Sequence, residues 1–152
     1  MEVGSDPLAV FEQTLRGLRA DSAKTTKTES SWTLAQAVAH CAQSIEYSMS
    51  GYPKLRSGLF RATIGPIVKR KFLRANKMSH DLTASVAGAP AIGDVSLDDA
   101  RQRALAALAA FRSHAGPMAP HLAYGACTKS EYAALHLIHF QDHLQGLGVG
   151  SA

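Results

Sequence analysis

TKSEYAALHLIHFQDHLQG, residues 128–146, is the stretch whose reading decides the fold. Thr128-Lys-Ser-Glu131 matches the S/T-x-x-E capping box that opens a helix. At about 100° per residue, His136, His139 and His143 share one stripe with Tyr132, Leu135, Phe140, Leu144 and Leu147, while Glu131, Gln141, Asp142 and Gln145 take the other side. The histidines therefore face inward. His139 and His143 are four residues apart, a spacing that brings two imidazoles onto one helical face within reach of a common metal ion. A third ligand must come from elsewhere in the chain, and His40 is the best candidate.

Composition bounds what surrounds that helix. The chain has 152 residues with 46% hydrophobic content, which suits a single domain over residues 1–152 with one core. The net charge of +4 is basic without being extreme. The two cysteines, Cys41 and Cys127, form no CxxC pair, which argues against a disulfide scaffold or a zinc-thiolate site and points to a reducing compartment. No apolar run approaches the roughly 20 residues that span a bilayer, and the first residues lack the basic and apolar regions of a signal peptide. A cytoplasmic location without membrane association is the expectation.

Three further long helices are expected. The first runs from about Pro7 to Arg19, with Asp6 as N-cap and Leu8, Phe11, Leu15 and Leu18 on its inner face; the polar SAKTTKTESS that follows reads as a loop. The second runs from about Trp32 to Ser50 and stops at Gly51 and Pro53. Its apolar stripe includes Cys41, a core thiol by position. His40 lies instead with Gln36, Gln43, Ser44 and Tyr47, a polar stripe that suits either a solvated surface or the lining of a cleft. The third runs from Ser96, as cap, to about His114. Between Gly51 and about Val95 lies a long connection in which Pro66 can open a short helix carrying Lys69, Arg70, Lys71 and Arg74 on a solvated basic side. His80, His114 and His121 fall near loops or helix ends, where a surface position is expected. Tyr132 reads as a packed aromatic, and His136 as a supporting residue beside the pair.

Four amphipathic helices with one long crossover argue for an all-α, four-helix up-down bundle, a fold that places metal sites between facing helices. At this point the chain resembles the DinB-like (DinB/YfiT-like) metalloenzyme superfamily, in particular a branch known only as a domain of unknown function. The matching residues are Trp32-Thr33-Leu34-Ala35-Gln36 leading to His40-Cys41-Ala42-Gln43-Ser44, then Tyr47-x-x-x-Gly51-Tyr52-Pro53, Lys69-Arg70-Lys71-Phe72-Leu73, and His139-x-x-x-His143-Leu144. The resemblance covers nearly the whole chain. It implies a bundle that is often dimeric and a divalent metal held by His40, His139 and His143. It also implies chemistry akin to relatives that use low-molecular-weight thiols and activate them on the metal. The branch usually ends H-x-x-H-H-x-x-Q, and this chain has Asp142 and Gly146 where the middle histidine and the glutamine would stand.

Three neutral imidazoles suit zinc or nickel and leave the ion its full positive charge, able to activate a bound thiol or water. The expected protein is thus a thiol-dependent transferase or a hydrolase, a homodimer acting on a small molecule. No general base stands out, and Asp142 is expected on the outward face. The competing expectation is a non-catalytic dimeric bundle with a structural or vestigial metal, distinguished by a site closed by a fourth protein ligand. Nucleic-acid binding through residues 69–77 is disfavoured, because no aromatic platform accompanies the basic residues.

Overall fold

Five of the six helices among the described residues start at a capping side chain. In the computed structural model, which describes residues 4–23 and 32–150, α1 spans Pro7–Gly17, α2 Leu34–Ser50, α3 Gly58–Ala62, α4 Ile64–Ala75, α5 Leu97–Ser113 and α6 Lys129–Gly146. Asp6, Thr33, Ser57, Ser96 and Thr128 each accept a backbone N–H of the following first turn. The described residues are all-helical apart from loops and one isolated backbone bridge between His121 and Gly125. None of these helices is long and apolar enough to cross a membrane.

The expected boundaries shift for local reasons. α1 ends at Gly17, two residues short of Arg19, because Leu18 turns extended. The Arg101 guanidinium of α5 donates to the carbonyls of Leu15, which also accepts the Leu18 N–H, and Leu18. α2 begins at Leu34 because Thr33 and Gln36 form a second capping box: Thr33 Oγ1 accepts the Gln36 N–H at 3.1 Å and Gln36 Oε1 accepts the Thr33 N–H at 3.0 Å. Trp32 is left just outside the helix. Most of the expected 22–31 loop falls outside the described residues, with Ser22 and Ala23 in the turn after α1.

α2 packs along α5 over most of its length and also meets α6, while α1 bridges α5 and α6. Ala37, Ala39 and Ala42 of α2 and Ala100, Ala104 and Ala107 of α5 are all buried, and these short side chains let the two backbones approach. Phe11 of α1 stacks on Phe140 of α6, ring centroids 4.1 Å apart, inside the same core.

The long connection holds two helices where one was expected. α4 starts two residues before Pro66, which sits in its first turn, where a missing N–H costs nothing. Gly65 is required for packing: a Cβ there would lie 2.0 Å from the Ala123 carbonyl oxygen. Phe72 and Leu73 of α4 join Met78, Leu135 and Ile138 in a second, smaller apolar cluster against α6. Lys69 does not belong to a solvated basic side. It is buried, and its Nζ donates to the Ala126 carbonyl and to Glu131 Oε2, both at 3.0 Å. In helical register Lys69 follows the inner face, so its charge is drawn to the carboxylate that already caps α6.

Candidate metal centre

α2 and α6 bring three imidazoles to one point. His40 Nε2 and His143 Nε2 each lie 3.2 Å from His139 Nε2, and one ring nitrogen from each of the three falls within 4.8 Å of the others. The i,i+4 spacing aligns His139 and His143 on α6, and the α2–α6 contact supplies His40 from across the interface. His40, Gln43 and Ser44 of the polar stripe of α2 are therefore buried and not part of a solvated surface. Trp32 covers the cluster, its ring 4.6 Å from that of His40 and stacked on His143 at 5.8 Å.

Burial, reinforced by the neighbouring histidines, pushes His40 down to about 4 and His143 to about 3, and holds His139 well below the usual imidazole range. At neutral pH all three are uncharged and carry a ring lone pair, the form that binds a metal.

Hydrogen bonding alone does not satisfy this arrangement. A neutral Nε2 has either one hydrogen or one lone pair, so His139 Nε2, touched by both His40 and His143, completes only one of those bonds. His40 Nδ1 and His143 Nδ1 are buried without any hydrogen-bond partner. A cation among the Nε2 atoms would use every lone pair at once. The 3.2 Å separations also match the spacing of about 3.3 Å between two nitrogens bound tetrahedrally to one ion at about 2.0–2.1 Å. The donor set fits a divalent metal of the zinc or nickel type.

Two residues expected at the surface adjoin the cluster. His80, on the α4–α5 connection, places its Nε2 3.2 Å from His143 Nε2 and its ring centroid 4.9 Å from that of His139. Its Nδ1 pairs with Asp142 Oδ2 at 2.6 Å. Asp142 therefore does not point outward to solvent; it holds a histidine. No periodicity reveals His80, since it sits in a loop and is 63 residues from its contact on α6.

The remaining expectations divide. Tyr132 is a packed aromatic, fully buried with its hydroxyl donating to the Ala119 carbonyl at 2.7 Å. His136 is buried and points to Ser48 Oγ at 3.1 Å, on the inner stripe but outside the convergent set. Cys41 is a core thiol, 1% exposed, with burial holding its pKa well above the ordinary value. His121, expected at the surface, is half-buried. Its Nδ1 accepts the N–H groups of Ala123 and Tyr124, both at 3.1 Å, and its ring stacks on Tyr124. His114 stays near the surface beside the Pro117 carbonyl. A cavity of about 390 Å³ opens beside α2, between Gln43, Tyr47, Ile92, Asp94 and Arg103, and none of the three convergent histidines lines it.

Fold and site together define an all-helical protein with a buried imidazole cluster between two helices. The chain belongs to the family described as Protein of unknown function (DUF1569), whose profile matches residues 9–148. No curated protein matches the chain, and no solved structure does.

Proposed function

We propose that this protein is a divalent-metal-dependent enzyme in which His40, His139 and His143 hold zinc or nickel and the reaction is a thiol-dependent transfer or a hydrolysis of a small molecule. The observation that carries the reading is the convergence of three uncharged Nε2 atoms whose lone pairs hydrogen bonding cannot all use. When bound, the metal supplies Lewis-acid charge that lowers the pKa of a bound thiol or water. The protein's own part is to keep the three imidazoles neutral by burial and to shield them from solvent with Trp32. The pairing of α2 with α5 and α6, and of α1 with the same two, supports a four-helix up-down bundle with a long crossover, and hence kinship with the DinB-like superfamily. The same reading takes the protein as a cytoplasmic homodimer. The withdrawal of Lys69 from the basic face speaks further against nucleic-acid binding.

A second reading, a non-catalytic bundle with a structural metal, is favoured by one observation: His80 stands next to the cluster, where a substrate would otherwise approach. Elemental analysis of untagged protein tests what the two readings share. Near-stoichiometric zinc or nickel is expected in the parent, lost in His40→Ala, His139→Ala and His143→Ala. Parent protein that stays metal-free after dialysis against either ion removes both.

A further inference from the structure

The two departures from the H-x-x-H-H-x-x-Q ending, Asp142 and Gly146, face the same piece of chain. Asp142 Oδ2 takes His80 Nδ1 at 2.6 Å. One turn later, Gly146 makes room for Leu82: a Cβ added there would lie 2.2 Å from Leu82 Cδ1. Leu82 is buried, and Met78, also buried, belongs to the apolar cluster formed with Leu135 and Ile138 of α6. Residues 78, 80 and 82 thus dock side by side along α6, two by apolar contact and the middle one through a carboxylate. This docking sets the imidazole of His80 with Nε2 against His143 Nε2.

We infer that His80 is a fourth protein ligand of the centre, oriented by Asp142 and delivered by a loop that the glycine at 146 allows to lie against α6. The inference rests on the three-histidine reading and extends it. Asp142 accepts the Nδ1–H, which fixes the tautomer with its lone pair on Nε2, facing His143. A carboxylate behind the ring also fixes its orientation, an advantage that His40 and His143 lack, since their Nδ1 atoms have no partner. The centre then has three imidazoles on rigid helices and one on a connecting segment.

Cobalt(II) reports the outcome, because its visible spectrum responds to ligand number whether or not any activity is known. Untagged full-length parent, His80→Ala, Asp142→Asn and His139→Ala are titrated with cobalt and then with zinc in competition. For His80→Ala the expected result is one equivalent still bound, a changed spectrum, and affinity weaker by at least the about 10–100-fold that loss of an outer-shell partner such as Asp142 costs. The Asp142→Asn change should shift affinity in the same direction. Adding free imidazole to His80→Ala should return the parent spectrum, which separates a lost ligand from a disturbed loop. An unchanged spectrum and affinity in His80→Ala would overturn the fourth ligand while leaving the three-histidine site standing. If the parent binds no cobalt or zinc, the fourth ligand and the reading beneath it both fail.

Discussion

His136 shares the inner stripe of α6 with the convergent pair, yet its hydrogen bond gives it a different role. Ser48 Oγ donates to the Ile45 carbonyl at 2.6 Å, so toward His136 it accepts, and the His136 proton sits on Nε2. The ring is packed between Tyr132 and Phe111, and burial lowers its pKa to about 3. His121 is lowered to about 4, and its Nδ1 has its lone pair committed to two backbone N–H groups. Both rings are neutral in the folded protein and protonate near 6.5 once unfolded. The unfolded state therefore binds more protons below that value, and the stability the neutral rings confer is complete above about 6.5 and lost as pH falls toward 3–4. For His136 the loss at pH 4.5 is about 2–3 kcal/mol, at 1.36 kcal/mol per unit. Urea denaturation between pH 7.5 and 4.5 should show this decline. His136→Gln, which keeps an N–H for Ser48 but does not titrate, should lower stability at neutral pH and flatten the slope. An equally steep decline in that variant would show that His136 is not a source of it.

At the scale of elements, Glu131 joins two helices through one carboxylate. Its Oε2 accepts the Thr128 N–H at 2.9 Å, closing the capping box of α6, and also receives Lys69 Nζ from α4. Removing Lys69 strands the Ala126 carbonyl and leaves Glu131 unpaired. Because Glu131 is about a third exposed, solvent screens part of that loss, and Lys69→Ala should cost about 1–2 kcal/mol. Arg70→Ala, at an exposed neighbour on the same helix, should stay within about 0.5 kcal/mol. Equal effects of the two substitutions in urea denaturation would return Lys69 to the solvated face first expected for it. The contrast shows what the sequence makes legible. Caps, stripes and the i,i+4 pair are local patterns, so the four long helices and the positions of His139 and His143 follow from spacing. His40 needed the family resemblance, since a polar stripe on α2 fits a cleft as well as it fits water. His80, Lys69 and His121 lie in or against irregular segments, where burial is decided by partners 50 or more residues away or by a turn with no periodic signature. Gly146 stands where the branch carries a glutamine, and its meaning is spatial: Leu82, distant in sequence, occupies the space beside it.

For the molecule as a whole, the apolar surface is unevenly spread. Leu59, Ile64 and Ile67 are 76%, 53% and 65% exposed and lie on the adjoining helices α3 and α4. Fully burying side chains of this size gains about 1.5–3 kcal/mol each. A patch of three on each of two copies could therefore hold a dimer even after the entropy of association is met. Arg61, Arg70, Lys71 and Arg74 lie on the same two helices of a chain with net charge +4, so two copies meeting here repel. Salt screens that repulsion and should strengthen a self-association, whereas binding of an anionic partner through the same residues would weaken with salt. Light scattering coupled to size exclusion should therefore give a mass near twice 16.1 kDa, with the dimer fraction rising between about 50 and about 500 mM salt. The double variant Leu59→Glu, Ile67→Glu should run as a monomer with unchanged helicity, because neither side chain is part of the core. A parent that is monomeric at every salt concentration, or a double variant that stays dimeric, would show that α3 and α4 do not form the dimer face. The convergent histidines lie on α2 and α6, outside this patch, so metal content should be the same in monomer and dimer.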